Sequence, residues 1–145
     1  MLRILSFSLA CIIIAGYAAG GQSGPAVRDT DPKSILNETW QWVATIMPVG
    51  KTTVQNPERY TILLTDNGKV QARFDCNRGG GDYKISPGRL SFGPLSSTRM
   101  ACPPDSLDGP FMKDLQRASS FFVENGKLYL ELPVDSGTMC FRPAP

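Results

Sequence analysis

Four glycine-ended tripeptides, Asp66-Asn67-Gly68, Ser86-Pro87-Gly88, Glu124-Asn125-Gly126 and Asp135-Ser136-Gly137, cut the chain beyond residue 60 into short runs. Asn-Gly and Pro-Gly supply the positive φ that tight reversals need, so each marks a point where one strand ends and the next returns. Between them the side chains alternate. Val70, Ala72, Phe74 and Cys76 are apolar, whereas Gln71, Arg73 and Asp75 are polar, the period of a half-buried strand. Residues 60–65 and 70–76 therefore read as a hairpin. Residues 82–85 with 89–92, and 120–123 with 127–132, read as two more, and 138–142 form a closing run. Upstream, Trp40, Trp42, Ala44 and Ile46 fall on one face of a further strand.

One segment departs from this rhythm. Residues 110–118 carry Phe111, Met112 and Leu115 at helical spacing, with Asp108 placed to cap the start. The count is about eight short strands and one short helix. The expected fold is mostly β (α+β): a small antiparallel sheet curled into a barrel, with the helix closing one end. A chain of 145 residues supplies one such domain and not two.

The N-terminus has a different character. Arg3 is the only charge in the first twenty residues, and residues 4–19 are apolar or small. A short basic start, an apolar run and small residues at Gly16, Ala18 and Gly20 describe a secretory signal peptide over residues 1–20, cut after Ala18 or Gly20. The alternative, a retained anchor, would need about 20 apolar residues to span a bilayer, more than this run offers. Lipid anchoring would need Cys11 to close the apolar run, yet Ile12-Ile13-Ile14 continue it and Ser8 stands where Leu is usual. Cys11 is therefore read as discarded with the leader. Residues 21–33 are polar and contain Pro25 and Pro32, which reads as a flexible linker. The domain itself then occupies residues 34–143, in the periplasm or secreted.

Composition excludes much chemistry. The chain has no histidine, which removes Ser-His-Asp and Cys-His nucleophile systems and His-ligated metal. No Cys-x-x-Cys occurs either, so neither metal nor cofactor is expected. A net charge of +2, or +1 once Arg3 leaves with the leader, gives no drive towards nucleic acid. Asp75 and Asp82 are the carboxylates that paired acid–base chemistry would recruit, but their spacing fixes no shared geometry. The chain is read as a non-enzyme.

Three cysteines remain after leader removal: Cys76, Cys102 and Cys140. In an oxidising compartment two should pair and one is left over. Cys76 points inward on its strand and Cys102 sits in the loop 99–104, so a bridge between them would tie loop to sheet; pairings of either with Cys140 are the rivals. Cys140 alternates with Met139 and Phe141, which puts it on the face of Thr138 and Arg142 as a free thiol, read as unreactive or masked by a neighbouring strand rather than as a link between two copies. The run Asn77-Arg78-Gly79-Gly80-Gly81-Asp82 fits neither a P-loop nor a dinucleotide fingerprint, and reads as a tight connection rather than an anion nest.

Phe74-Asp75-Cys76-Asn77, Gly81-Asp82-Tyr83 and Leu95-Ser96-Ser97-Thr98-Arg99-Met100-Ala101-Cys102-Pro103, in that order, resemble the META domain typified by the heat-inducible HslJ proteins. Trp40 matches the aromatic residue of that family's first strand. Asn37-Glu38 stands where Gly-Thr is usual, and Cys140 is an extra cysteine. The resemblance implies a small, mostly β envelope domain linked to stress response and tolerance of hydrophobic antibiotics such as novobiocin, with no established catalysis or ligand. It also supports the Cys76–Cys102 pairing. The motif residues converge on two loops, so Asn77, Arg78, Asp82, Thr98 and Arg99 are the expected binding residues for an unidentified envelope partner, with a monomer expected. The alternative is a secreted inhibitor of a lysozyme or protease, although the Ser-Ala-Ser-Gly signature of lysozyme inhibitors is missing.

Overall fold

The computed structural model describes Cys11 and residues 24–145. Ten strands follow in chain order: β1 (Thr39–Ile46), β2 (Lys51–Thr53), β3 (Tyr60–Leu64), β4 (Lys69–Phe74), β5 (Asn77–Ser86), β6 (Arg89–Phe92), β7 (Ser96–Ser97), β8 (Ser120–Glu124), β9 (Lys127–Glu131) and β10 (Thr138–Pro143). The helix α1 (Asp108–Arg117) lies between β7 and β8. Strands β1, β3, β4, β5, β6, β8, β9 and β10 pair antiparallel in that order, and β10 pairs back onto β1. The result is a closed barrel of eight strands, with β2 and β7 as short additions beside β1 and β5. Closure leaves no long unpaired edge among the described residues.

The turn tripeptides fall where the chain reverses. Asn125 and Gly126 both take positive φ (51° and 71°) in a two-residue loop between Glu124 and Lys127, the requirement of a type I′ hairpin. Gly88 (φ 73°) follows Pro87 between Ser86 and Arg89. The β4–β5 reversal uses Asp75 (φ 59°) and Cys76. Inside the barrel, Phe111 from α1 stacks on Trp42 with ring centroids 4.9 Å apart and meets Tyr60 edge-on at 5.8 Å. Phe74 and Phe141 complete this aromatic centre at 5.7 and 6.3 Å. Helix α1 thus closes the barrel end where β3 begins and β4 ends. Phe111 and Leu115, one turn apart, are fully buried there.

Four expectations need correction. First, β1 does not keep one face. A bulge between Trp42 and Ala44 inserts Val43, so Trp40 and Trp42 face the core while Ala44 lies opposite Cys140 on the outer side. The bulge has a use: the Ala44 carbonyl and the Thr45 hydroxyl both accept from the buried Trp42 indole N–H, at 3.0 and 3.1 Å. A bulge satisfies the donor that a regular strand would have left alone.

Second, Asn77 to Asp82 is not a connection but the first half of β5. Its glycines answer to crowding. A Cβ on Gly79 would collide with the Ser96 carbonyl, and one on Gly80 with the Val70 carbonyl. On Gly81 it would sit 2.7 Å from the Pro94 oxygen.

Third, the stretch expected to be a linker is tied down from Arg28 onward. Asp29 and Val123 exchange both backbone hydrogen bonds, at 2.8 and 2.7 Å, and Gly88 N–H donates to the Thr30 carbonyl at 3.1 Å. Arg28 lies 4.3 Å from the Phe122 ring centroid and 3.6 Å from Glu124. These contacts buttress the seam where β6 and β8 share one register pair, Arg89 and Ser120. Asp31 caps the short 3-10 turn Pro32–Ile35, which delivers Ile35 to the core.

Fourth, Cys140 is buried, and in the full-length chain it is not free. It does lie on the outer face, but that face is itself apolar: Val43, Ala44, Phe122 and Tyr129 cluster with it, and it is bonded to Cys11. Lys127 Nζ donates to the Cys11 carbonyl at 2.9 Å. The alternation of β10 placed the side chain correctly; it could not show what covers it. The remainder of the expected leader lies outside the described residues.

Candidate functional site

The chain between β7 and α1 has little regular structure of its own, yet it is firmly held. Asn77, the first residue of β5, is 5% exposed and organises it. Its Oδ1 accepts from Met100 N–H at 2.7 Å and from the Thr98 hydroxyl at 2.9 Å. Its Nδ2 faces the Met100 carbonyl at 3.1 Å and Cys102 Sγ at 3.3 Å. All four positions of the amide are used. Thr98 N–H donates to the Arg78 carbonyl at 3.0 Å, and Thr98 Oγ1 accepts from Arg78 N–H at 3.1 Å. The Cys76–Cys102 disulfide, with Cα atoms 5.6 Å apart, closes the clamp.

A second network fixes the other wall. Leu107 N–H donates to the Tyr60 hydroxyl at 2.9 Å, and that hydroxyl reaches Asp75 Oδ2 at 3.5 Å. Asp75 is buried and ion-paired with Arg59, and its backbone N–H donates to the Arg59 carbonyl at 2.7 Å. The start of α1 is thereby tied to the reversal beside Cys76. Asp108 is not the cap: it is the first helical residue, and its N–H donates to Ser106 Oγ at 3.3 Å. The acid in the first turn and Arg117 in the last both suit the helix dipole.

Between these walls lies a groove of about 710 Å³. Phe74 and Met112 form its apolar floor, the segment from Ser97 to Ala101 makes one side, and Gly109, Lys113, Gln116 and Arg117 make the other. Met100 is 63% exposed although both its backbone polar groups are held by Asn77. An apolar side chain is thus fixed outward by the framework that anchors its main chain. Arg99 and Lys113 make no ion pair with any described residue, whereas Arg117 lies 3.7 Å from Asp114 and donates to Ser136 Oγ at 2.7 Å. Burial is the main influence on Asp114 and raises its pKa, against the opposing pull of Arg117 and Lys113.

Of the five expected binding residues, Asn77, Thr98 and Arg99 line this groove. Arg78 and Asp82 do not. Arg78 points into a separate depression with Thr61, Gln71 and Arg73, and Asp82 sits about 17 Å from Asn77 along β5, ion-paired with Lys69. Asp75 and Asp82 therefore share no site. Sequence reasoning missed the helix side of the groove, although Lys113 and Arg117, four residues apart on the polar face of an amphipathic helix, were the available signal.

The META domain family model matches residues 33–144, the whole barrel with its helix. Among solved structures, an NMR structure of a protein from Burkholderia xenovorans superposes with a TM-score of 0.66 at 23% identity, covering 90% of this chain and 99% of that one. A crystal structure of a duf4847 family protein from Bacteroides vulgatus gives 0.57 at 12% identity, covering 74% and 93%. Both share the fold. Among curated proteins none matches this sequence. The ordered motifs, the closed barrel and the match over residues 33–144 agree: the chain belongs to the META domain family.

Proposed function

We propose that this chain is an exported, non-catalytic binding module of the cell envelope, and that the groove between the Ser97–Ala101 segment and α1 is its working surface. Through that surface it engages an envelope component and contributes to envelope integrity and to tolerance of stress and hydrophobic antibiotics. The observation that carries the reading is Met100, held outward over the groove by two hydrogen bonds between its own backbone and the Asn77 side chain. Val49 and Val134 are more exposed, but Met100 stands beside Met112 in the lining of a groove and its main chain is fixed there, which supports a role in contact with a partner. The N-terminal basic-apolar-small pattern and the Cys76–Cys102 bridge support export to an oxidising compartment.

The test is complementation of a host strain lacking the gene, scored by growth in novobiocin. Wild type should restore tolerance. Met100→Glu, and a chain starting at residue 21 that stays in the cytoplasm, should not. Full restoration by Met100→Glu would overturn the surface, and restoration by the leaderless chain would overturn the location.

A further inference from the structure

We propose that the groove binds a single-chain anionic amphiphile: an acyl chain ending in a carboxylate or a phosphate. The inference rests on the groove being the working surface, and it adds what that surface takes. The lining divides by chemistry. Met112 and the outward Met100 offer apolar surface above the buried Phe74, and unbranched thioether side chains adapt their shape to a flexible chain. Three cations line the same groove, Arg99, Lys113 and Arg117, against one carboxylate, Asp108. Arg117 is already engaged by Asp114 and Ser136. Arg99 and Lys113 are committed to no described carboxylate, so they are the groups available to a ligand's anionic head. A cavity of about 710 Å³ lies in the range of small-molecule sites.

An extended acidic peptide fits less well. Strand addition needs unpaired backbone groups along the groove wall. Here β7 pairs with β5, Thr98 N–H is spent on Arg78, and both polar groups of the Met100 backbone are spent on Asn77. With the Thr98 N–H and both Met100 groups taken, the wall meets a ligand mainly through its side chains. Because that wall is preformed, binding costs little ordering of the protein.

The experiment uses the full chain labelled with ¹³C at its methionine methyl groups, titrated below the micelle threshold with dodecanoate, dodecyl phosphate or dodecyltrimethylammonium. The Met100 and Met112 methyl signals should shift saturably with one or both anionic probes, while those of Met47 and Met139 stay in place as internal references. The tighter of the two anionic arms identifies the head group as carboxylate or phosphate. Arg99→Glu/Lys113→Glu should weaken that binding about tenfold or more, since each reversal replaces attraction with repulsion. Absence of saturable shifts with both anions, or equal binding of the cationic probe, overturns the proposal. If neither anion binds but Met100→Glu still abolishes tolerance, the ligand class falls and the groove stands. If Met100→Glu is silent as well, both fall.

Discussion

Asn77 Oδ1 accepts from the backbone N–H of Met100 at 2.7 Å while its Nδ2 donates to the Met100 carbonyl at 3.1 Å, so one side chain grips both polar groups of a residue 23 positions away. This grip converts an irregular loop into a fixed wall. Asn77→Ala leaves a part-buried amide and carbonyl without partners and should destabilise the fold by about 2–4 kcal/mol. The sharper readout is local. Hydrogen exchange at the Met100 amide should accelerate far more than at Tyr129 on the opposite side of the barrel; equal acceleration at both would mean that Asn77 supports the fold as a whole and not the loop.

The glycines of β5 and α1 predict opposite outcomes from the same substitution. Gly79→Ala or Gly80→Ala drives a methyl group into a neighbouring backbone carbonyl, which cannot yield, and should cost about 2 kcal/mol or more or prevent folding. Gly109→Ala meets nothing within 4 Å and lies in the first turn of the helix. It should stabilise by up to about 1 kcal/mol. Chemical denaturation of the three variants checks the pair of signs.

Asp114 gives a pH dependence. Burial raises its folded-state pKa above that of the unfolded chain, so the folded protein holds the proton more tightly. The stability linked to that proton is fully present below the unfolded value, about pH 4, and is lost as pH rises through the folded value. Asp114→Asn should therefore melt higher than wild type at about pH 7, with the gap closing by about pH 3. A gap of constant size across that range would place its cause elsewhere than in the ionisation of Asp114.

Export and the outer-face disulfide make a joint prediction. The full-length chain holds Cys11–Cys140 and Cys76–Cys102. Cleavage after Ala18 or Gly20 removes Cys11, so the exported form should carry one bridge, Cys76–Cys102, and one alkylatable thiol, Cys140. Intact mass with and without reduction, followed by non-reducing peptide mapping, distinguishes the two forms. Breaking Cys76–Cys102 by Cys76→Ser/Cys102→Ser should cost about 3–4 kcal/mol in the chain-entropy model, or roughly 10–20 °C in melting temperature.

The hairpins were legible because their turns need residue types that announce themselves: Asn125-Gly126 and Pro87-Gly88 leave the chain few other conformations. The bulge at Val43 left no local trace, since it is set by how β10 must meet β1 to close the barrel. The glycines of β5 misled for a related reason: they read as a tight connection but answer to Ser96, Val70 and Pro94, contacts made only in the closed fold. Of the motif residues, Asn77, Thr98 and Arg99 come together in the lining of one groove. Arg78 and Asp82 diverged because neighbouring residues of a strand point to opposite faces and five residues of strand carry a side chain well beyond contact. The role of Asn77 as an organiser, and of Lys113 as the facing cation, depends on tertiary proximity that linear spacing does not encode.

The most direct test of the groove as working surface is to measure melting temperature and antibiotic tolerance on one set of variants: Met100→Glu, Lys113→Glu, Asn77→Ala and, as an exposed control outside the groove, Gln71→Glu. Met100→Glu and Lys113→Glu should melt within a few degrees of wild type and still lose tolerance, because surface changes remote from packing cost about 0.5 kcal/mol or less. Asn77→Ala should lose both properties, and Gln71→Glu neither. If tolerance simply follows melting temperature across all four, with Met100→Glu and Lys113→Glu fully tolerant, the groove has no function of its own and the account is contradicted.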